Sequence, residues 1–193
     1  MYRRVKFLLF VLSFPLLLSC SGPSGWSEHG APASDLEFAV SFSDALTAQA
    51  QDGRIILVVS KNDEGEPRFQ VSPGPTGQQV FGLEVEGLAP GAEAVIGEPV
   101  FGFPLKGIGL IPDGVYTVQA ILNRYETFSR SDGHTVKLPP DRGEGQQWAR
   151  KPGNFYSPPQ RVTLDPSAGG RVEIVLDQVI PEISPPEAVS YTH

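Results

Sequence analysis

The chain has 193 residues, among them 21 glycines, 19 prolines and a single cysteine, and carries a formal net charge of −7. One cysteine excludes an internal disulfide, so stability must come from a packed core or a bound ligand. The acidic balance argues against a nucleic-acid phosphate backbone as partner and against charge-driven docking on an anionic lipid surface.

The first segment reads "MYRRVKFLLFVLSFPLLLSCSG": Arg3, Arg4 and Lys6, an apolar run from Phe7 to Leu18, then Ser19 and Cys20. That order predicts a secretory signal helix over residues 1–19, too short and too soon followed by polar residues to be a stop-transfer span. Its end, "LLSC", resembles the lipobox of bacterial lipoproteins, in which the cysteine becomes the first mature residue and carries the lipid. The resemblance implies lipidation of Cys20 and attachment to the membrane through acyl chains, each buried methylene worth about 0.8 kcal/mol. Ser21, where an aspartate would retain such a protein, resembles the pattern of lipoproteins sent to the outer membrane. Loss of residues 1–19 removes three cations and leaves 174 residues with a formal charge of −10, enough chain for one domain with a sizeable core.

Residues 20–35 are small, polar and rich in proline and glycine, and read as a flexible tether in which Trp26 and His29 are solvated. From residue 36 the pattern changes. Leu36, Phe38, Val40 and Phe42 alternate with Glu37, Ala39, Ser41 and Ser43, the period of a strand with one face on a core. "RIILVVS" after Asp52-Gly53 is a continuous apolar run, short enough to be a strand buried on both faces. Phe81, Leu83 and Val85 alternate with Gly82, Glu84 and Glu86.

In "LIPDGVYTVQAIL", Pro112-Asp113-Gly114 predicts a turn, after which Tyr116, Val118, Ala120 and Leu122 fall on one face. A tyrosine just inside a strand after such a turn resembles the tyrosine corner of immunoglobulin and fibronectin type III sandwiches, which implies a structural role for Tyr116.

The stretch "YETFSRSDGHTVKLPPDRGEGQQW" has no clean period, and from Glu126 to Gln160 only "HTVKL" looks like a strand. Loops longer than about 12–15 residues are uncommon in compact domains, and Trp148, Phe155 and Tyr156 are residues that a disordered linker has little reason to carry. An ordered flap over the sandwich is expected.

Three chemistries compete for the flap. Asp132, His134, Asp141 and Glu144 are ligand types for a metal, but a lone histidine without a second at ligand spacing is weak ground for one. Ser131, Asp132 and His134 are the residue types of a hydrolytic triad, yet neighbours so close in sequence aim poorly at one another, and the chain has no Gly-x-Ser-x-Gly elbow. Recognition is the third. Tyr125, Asp132, His134, Arg142, Glu144, Trp148, Phe155 and Tyr156 form the candidate binding loop, an aromatic platform with a charged rim suited to a carbohydrate or a peptide. The alternative is that the same rings staple the flap onto the sandwich.

Beyond the flap, Val172, Ile174 and Leu176 alternate with Arg171, Glu173 and Asp177. The ending "VIPEISPPEAVSYTH" reads as a proline-rich linker over 181–193. No segment between 36 and 180 sustains a helical period, so that span predicts an all-β domain: an immunoglobulin/fibronectin-III-like antiparallel β-sandwich of seven to nine strands with a long ordered loop.

Several word-like stretches occur in one order: "EPRFQVSPGPTGQQVFG", "YTVQAILNRYETF", "DGHTVKLPPDRGEGQQW" and "PGNFYSPPQRVTLDP". Over roughly residues 38–186 they resemble the N-terminal β-rich region of secreted bacterial esterase-type proteins of the α/β-hydrolase class. In that family the catalytic domain follows this region, and the present sequence stops at His193, so the resemblance transfers no catalytic residue. It implies an accessory domain, with a downstream hydrolase domain as a partner.

The expected function is therefore a non-catalytic, lipid-anchored accessory or binding module of the bacterial cell envelope, without cofactor, metal or nucleic acid. A carbohydrate- or peptide-binding lipoprotein is the first alternative. A hydrolase working through His134, Asp132 and Glu144 is the second.

Overall fold

The structure, a computed structural model, describes residues 34–98 and 100–183. The expected signal helix, Cys20, all but the last two residues of the tether and most of the C-terminal linker lie outside the described residues. Among the described residues twelve strands follow one another: β1 (Leu36–Phe42), β2 (Gln51–Ser60), β3 (Gln79–Leu88), β4 (Ala94–Ile96), β5 (Gly102–Phe103), β6 (Gly114–Arg124), β7 (Glu126–Ser129), β8 (Thr135–Leu138), β9 (Phe155–Tyr156), β10 (Gln160–Leu164), β11 (Gly170–Leu176) and β12 (Gln178–Val179). Single 3-10 turns span Pro67–Phe69 and Ile108–Leu110. Among the described residues no helix is long and apolar enough to cross a membrane.

The all-β sandwich expected from the sequence is what forms. One sheet runs β11-β1-β4, and the other runs β12-β9-β6-β2-β3-β5 with β10 also paired to β6. The strand count exceeds seven to nine because β4, β5, β9 and β12 are pieces of two or three residues, too short to leave a periodic trace in sequence. Pairing is antiparallel except between β1 and β11, which lie parallel with Leu36 opposite Gly170 and Phe42 opposite Leu176.

The alternating residues meet between the sheets. Leu36, Phe38, Val40 and Phe42 of β1 and Ile174 and Leu176 of β11 face Ile55, Leu57 and Val59 of β2, Phe81 of β3 and Val118, Ala120 and Leu122 of β6. Each buried side chain of this size stabilises the fold by about 1.5–3 kcal/mol before chain entropy is counted. β2 is buried on both faces as its run implies, with Ile56 and Val58 joining Ile121 on the far side of the sheet. Tyr116 makes the expected corner, its phenol donating to the Pro112 carbonyl at 2.7 Å. Burial raises the Tyr116 pKa above its ordinary value, with help from Asp113.

The stretch from 126 to 154 divides in two. Its first part is an exposed hairpin of β7 and β8, paired from Glu126 with Leu138 to Ser129 with Thr135. The second part, residues 139–154, has no strand of its own, and its Trp148 packs onto the outer face of the larger sheet.

Candidate functional site

That outer face carries the candidate site. Ile56, Val58 and Ile121 make a small buried cluster against which Val71, Val80, Trp148 and Tyr156 pack. Beside it opens a groove of about 510 Å³, floored by Ile56, Val80 and Gly82 and walled by Trp148, Phe101 and Phe103. Phe101 and Phe103 are 65% and 50% exposed, so the groove's far lip is two aromatic rings in water. They are positioned by Gln79, which accepts from the Leu105 amide and donates to the Leu105 carbonyl, both at 2.8 Å. The segment that follows β5 is thereby clamped to β3.

Gly82 explains the polar end of the groove. Glycine inside a strand weakens it and marks a close approach. Here a Cβ would lie 2.4 Å from Nη2 and 2.5 Å from Nε of Arg54, so the guanidinium rests on bare backbone. Arg54 Nη1 donates to Glu84 Oε1 at 2.7 Å, and the Tyr125 hydroxyl donates to the same oxygen at 3.3 Å. Burial and the Glu84 carboxylate raise the Tyr125 pKa. Arg54 is thus held flat, a planar donor beside an apolar channel.

Two further hollows continue from the groove. One of about 420 Å³ shares Val71 and Trp148 with it and reaches Arg68 and Arg150. The next, about 480 Å³, lies between Arg68, Phe69, Glu144, Arg150 and Ile183. Arg68 stacks on Tyr156, 3.9 Å from the ring centre, and on Phe69 at 4.5 Å, while Arg150 covers Phe69 at 4.6 Å.

The residues of the candidate binding loop therefore separate. Trp148 and Tyr156 do share one surface, and Tyr125 reaches it through Glu84. Phe155 does not belong to a platform: it is 2% exposed and packs on Phe42 inside the main core, with ring centres 5.6 Å apart. Adjacent residues of a strand point to opposite faces, so Phe155 and Tyr156 cannot both line one surface. Asp132 and His134 sit at the tip of the β7–β8 hairpin. There Asp132 accepts from the His134 amide at 3.1 Å and pairs with Arg130, also at 3.1 Å, as a turn residue does. The His134 ring is 78% exposed, 3.3 Å from Asp132. Arg142 pairs with Glu126, and Glu144 accepts from the Arg142 amide at 2.7 Å. Asp141 accepts from the Gly143 amide at 2.8 Å, so all three acidic groups considered for a metal, Asp132, Asp141 and Glu144, serve the loop's own backbone. Among the described residues no three His, Cys, Asp or Glu side chains gather as a metal would need.

Sequence reasoning missed Arg54, Gly82, Phe101, Phe103, Arg68 and Phe69. The available signals were a glycine at a periodic strand position and two phenylalanines in "VFGFPL", a segment without a strand period. It also missed Lys151, 2% exposed, whose ammonium donates to the Arg124 carbonyl and, at 3.1 Å, to Asn123 Oδ1. Burial lowers its pKa from 10.5 to about 8. Between those values the unfolded chain holds a proton that the folded chain has released, so stability rises with pH across that window. Tyr116 and Tyr125, raised above 10.0, act in the opposite sense once the pH passes 10. The urea midpoint is expected to climb from pH 7.5 to 9.5, and Lys151→Met should flatten that climb.

Comparison with family models, with curated proteins and with solved structures gave no match to this chain.

Proposed function

We propose that the chain is a non-catalytic, lipid-anchored binding module of the bacterial cell envelope, held at the outer membrane through Cys20. Its groove receives an extended peptide with apolar side chains. The observation that carries this reading is the pairing of exposed Phe101 and Phe103 with Trp148 across an apolar floor, beside an arginine immobilised on Gly82. Large rings in water at a concave surface gain most when another apolar group covers them. A planar guanidinium with free edges supplies donors for a passing carbonyl or carboxylate.

Kinship with the N-terminal region of esterase-type proteins, and service to a hydrolase domain, belong to the same proposal and rest on the word-like stretches alone. The reading through His134 has less support, because Asp132 is engaged in its turn and the imidazole stands in water.

Trp148→Ala is the test. With the full chain immobilised, retention of a pool of N-acetylated random octapeptides is expected to fall at least tenfold while the melting temperature moves by only a few degrees. Equal loss of retention and stability would make Trp148 a packing staple, and retention of oligosaccharides in place of the peptides would replace the ligand class.

A further inference from the structure

Among the described residues three buried side-chain polar atoms have no hydrogen-bond partner: Nε and Nη1 of Arg68 and Oε1 of Glu144. An unpaired buried group of this kind is costly, more so when charged, and such groups are rare in folded proteins. Arg68 is 8% exposed. Its Nη2 donates to Glu66 Oε1 at 3.2 Å, and its Nε lies 2.8 Å from Glu66 Oε2, off the line of the N–H. Glu144 uses only Oε2, on the Arg142 amide. Both side chains wall the hollow of about 480 Å³, together with Arg150 and the apolar Ile180, Pro181 and Ile183.

The unmet groups are complementary. Arg68 wants an acceptor and Glu144 wants a donor, and the second guanidinium, Arg150, is exposed beside them. The hollow is joined to the aromatic groove through Val71, Trp148 and Arg68, so one extended ligand can occupy both.

We propose that this hollow seats the free C-terminus of the peptide taken by the groove, the carboxylate on Arg68 and Arg150 and the last amide N–H on Glu144. A terminal carboxylate offers two acceptors in the plane that a guanidinium fork matches, and the amide nitrogen on the same Cα offers the donor. The inference rests on the peptide-binding reading and adds to it the end of the chain that is read.

The experiment compares two pools of N-acetylated random octapeptides of identical composition, one ending in the free acid and one in the amide, on the immobilised full chain. The free-acid pool is expected to be retained at least tenfold more. Arg150→Gln, at an exposed position, should abolish the preference, and Glu144→Leu should weaken retention of the free acids. Equal retention of both pools by the parent protein, lost in Trp148→Ala, would overturn the terminal seat and leave the groove reading standing. Retention of neither pool would overturn both. A preference that survives Arg150→Gln and Arg68→Lys alike would place the carboxylate elsewhere and overturn the assignment.

Discussion

Phe155→Ala is expected to lower folding stability by about 3–5 kcal/mol, the range for deleting a fully buried aromatic ring. Three contacts set that size. The ring packs on Phe42 at a tilt of 47°, its far side carries the Arg124 guanidinium 4.6 Å from the ring centre, and its strand, β9, ties β12 to β6. Removing the ring leaves a cavity under a strand of two residues and exposes the apolar stem of an arginine whose Nε is bound to Gln51 at 2.6 Å. Urea unfolding monitored by far-ultraviolet circular dichroism gives the number. Tyr156→Ala, at the neighbouring position on the opposite face, should cost clearly less. A loss below 1 kcal/mol for Phe155→Ala would return that ring to the surface of the flap.

A second large loss is expected from Glu66→Ala, about 3 kcal/mol, at the low end for breaking a buried ion pair because Glu66 is itself 34% exposed. Glu66 is the anion of a polar network set under the 3-10 turn Pro67–Phe69. Gln119, fully buried, donates to Glu66 Oε2 at 2.8 Å and to the Ser157 carbonyl at 2.9 Å, and accepts from the Arg68 amide at 3.0 Å. Without Glu66 the Arg68 charge stays between two rings with no counterion. Arg68→Met in the same chain removes that uncompensated charge, so the double variant should be more stable than Glu66→Ala alone. Additive losses would mean that the two side chains do not act as a pair.

The strands that could be foreseen are those whose burial is regular. β1 and β11 alternate cleanly because each has one face on the core, and the run in β2 is apolar throughout because the flap and the loop around Val71 cover its other face. Tyr116 was legible for a different reason: a turn followed by a tyrosine dictates one local hydrogen bond irrespective of what packs above it.

The site was less visible, since it is assembled from β2, β3, the loop before β5 and the flap, segments brought together only by the sheet order. Phe155 was misplaced because "NFYSPP" reads as loop, and two residues of strand cannot announce which of two adjacent rings turns inward. His134 and its acidic neighbours drew attention by residue type, whereas Gly82 matters by what it lacks, a side chain, which composition does not reveal.

The parallel seam between β1 and β11 bears on how the domain answers a pull. Its two strands are the first and nearly the last of the fold, in register over seven residue pairs from Leu36–Gly170 to Phe42–Leu176. A force drawing the entry of β1 away from the exit of β11 acts along this seam in shear. The two residues of β12 peel first; after them the rungs of the ladder carry the load together rather than unzipping one by one. Forced unfolding follows the height of that kinetic barrier rather than the equilibrium stability. A domain stretched between its two ends would therefore yield late and abruptly, and a proline placed at Val40, which removes a backbone donor from β1 between its two neighbours β11 and β4, would make it yield early.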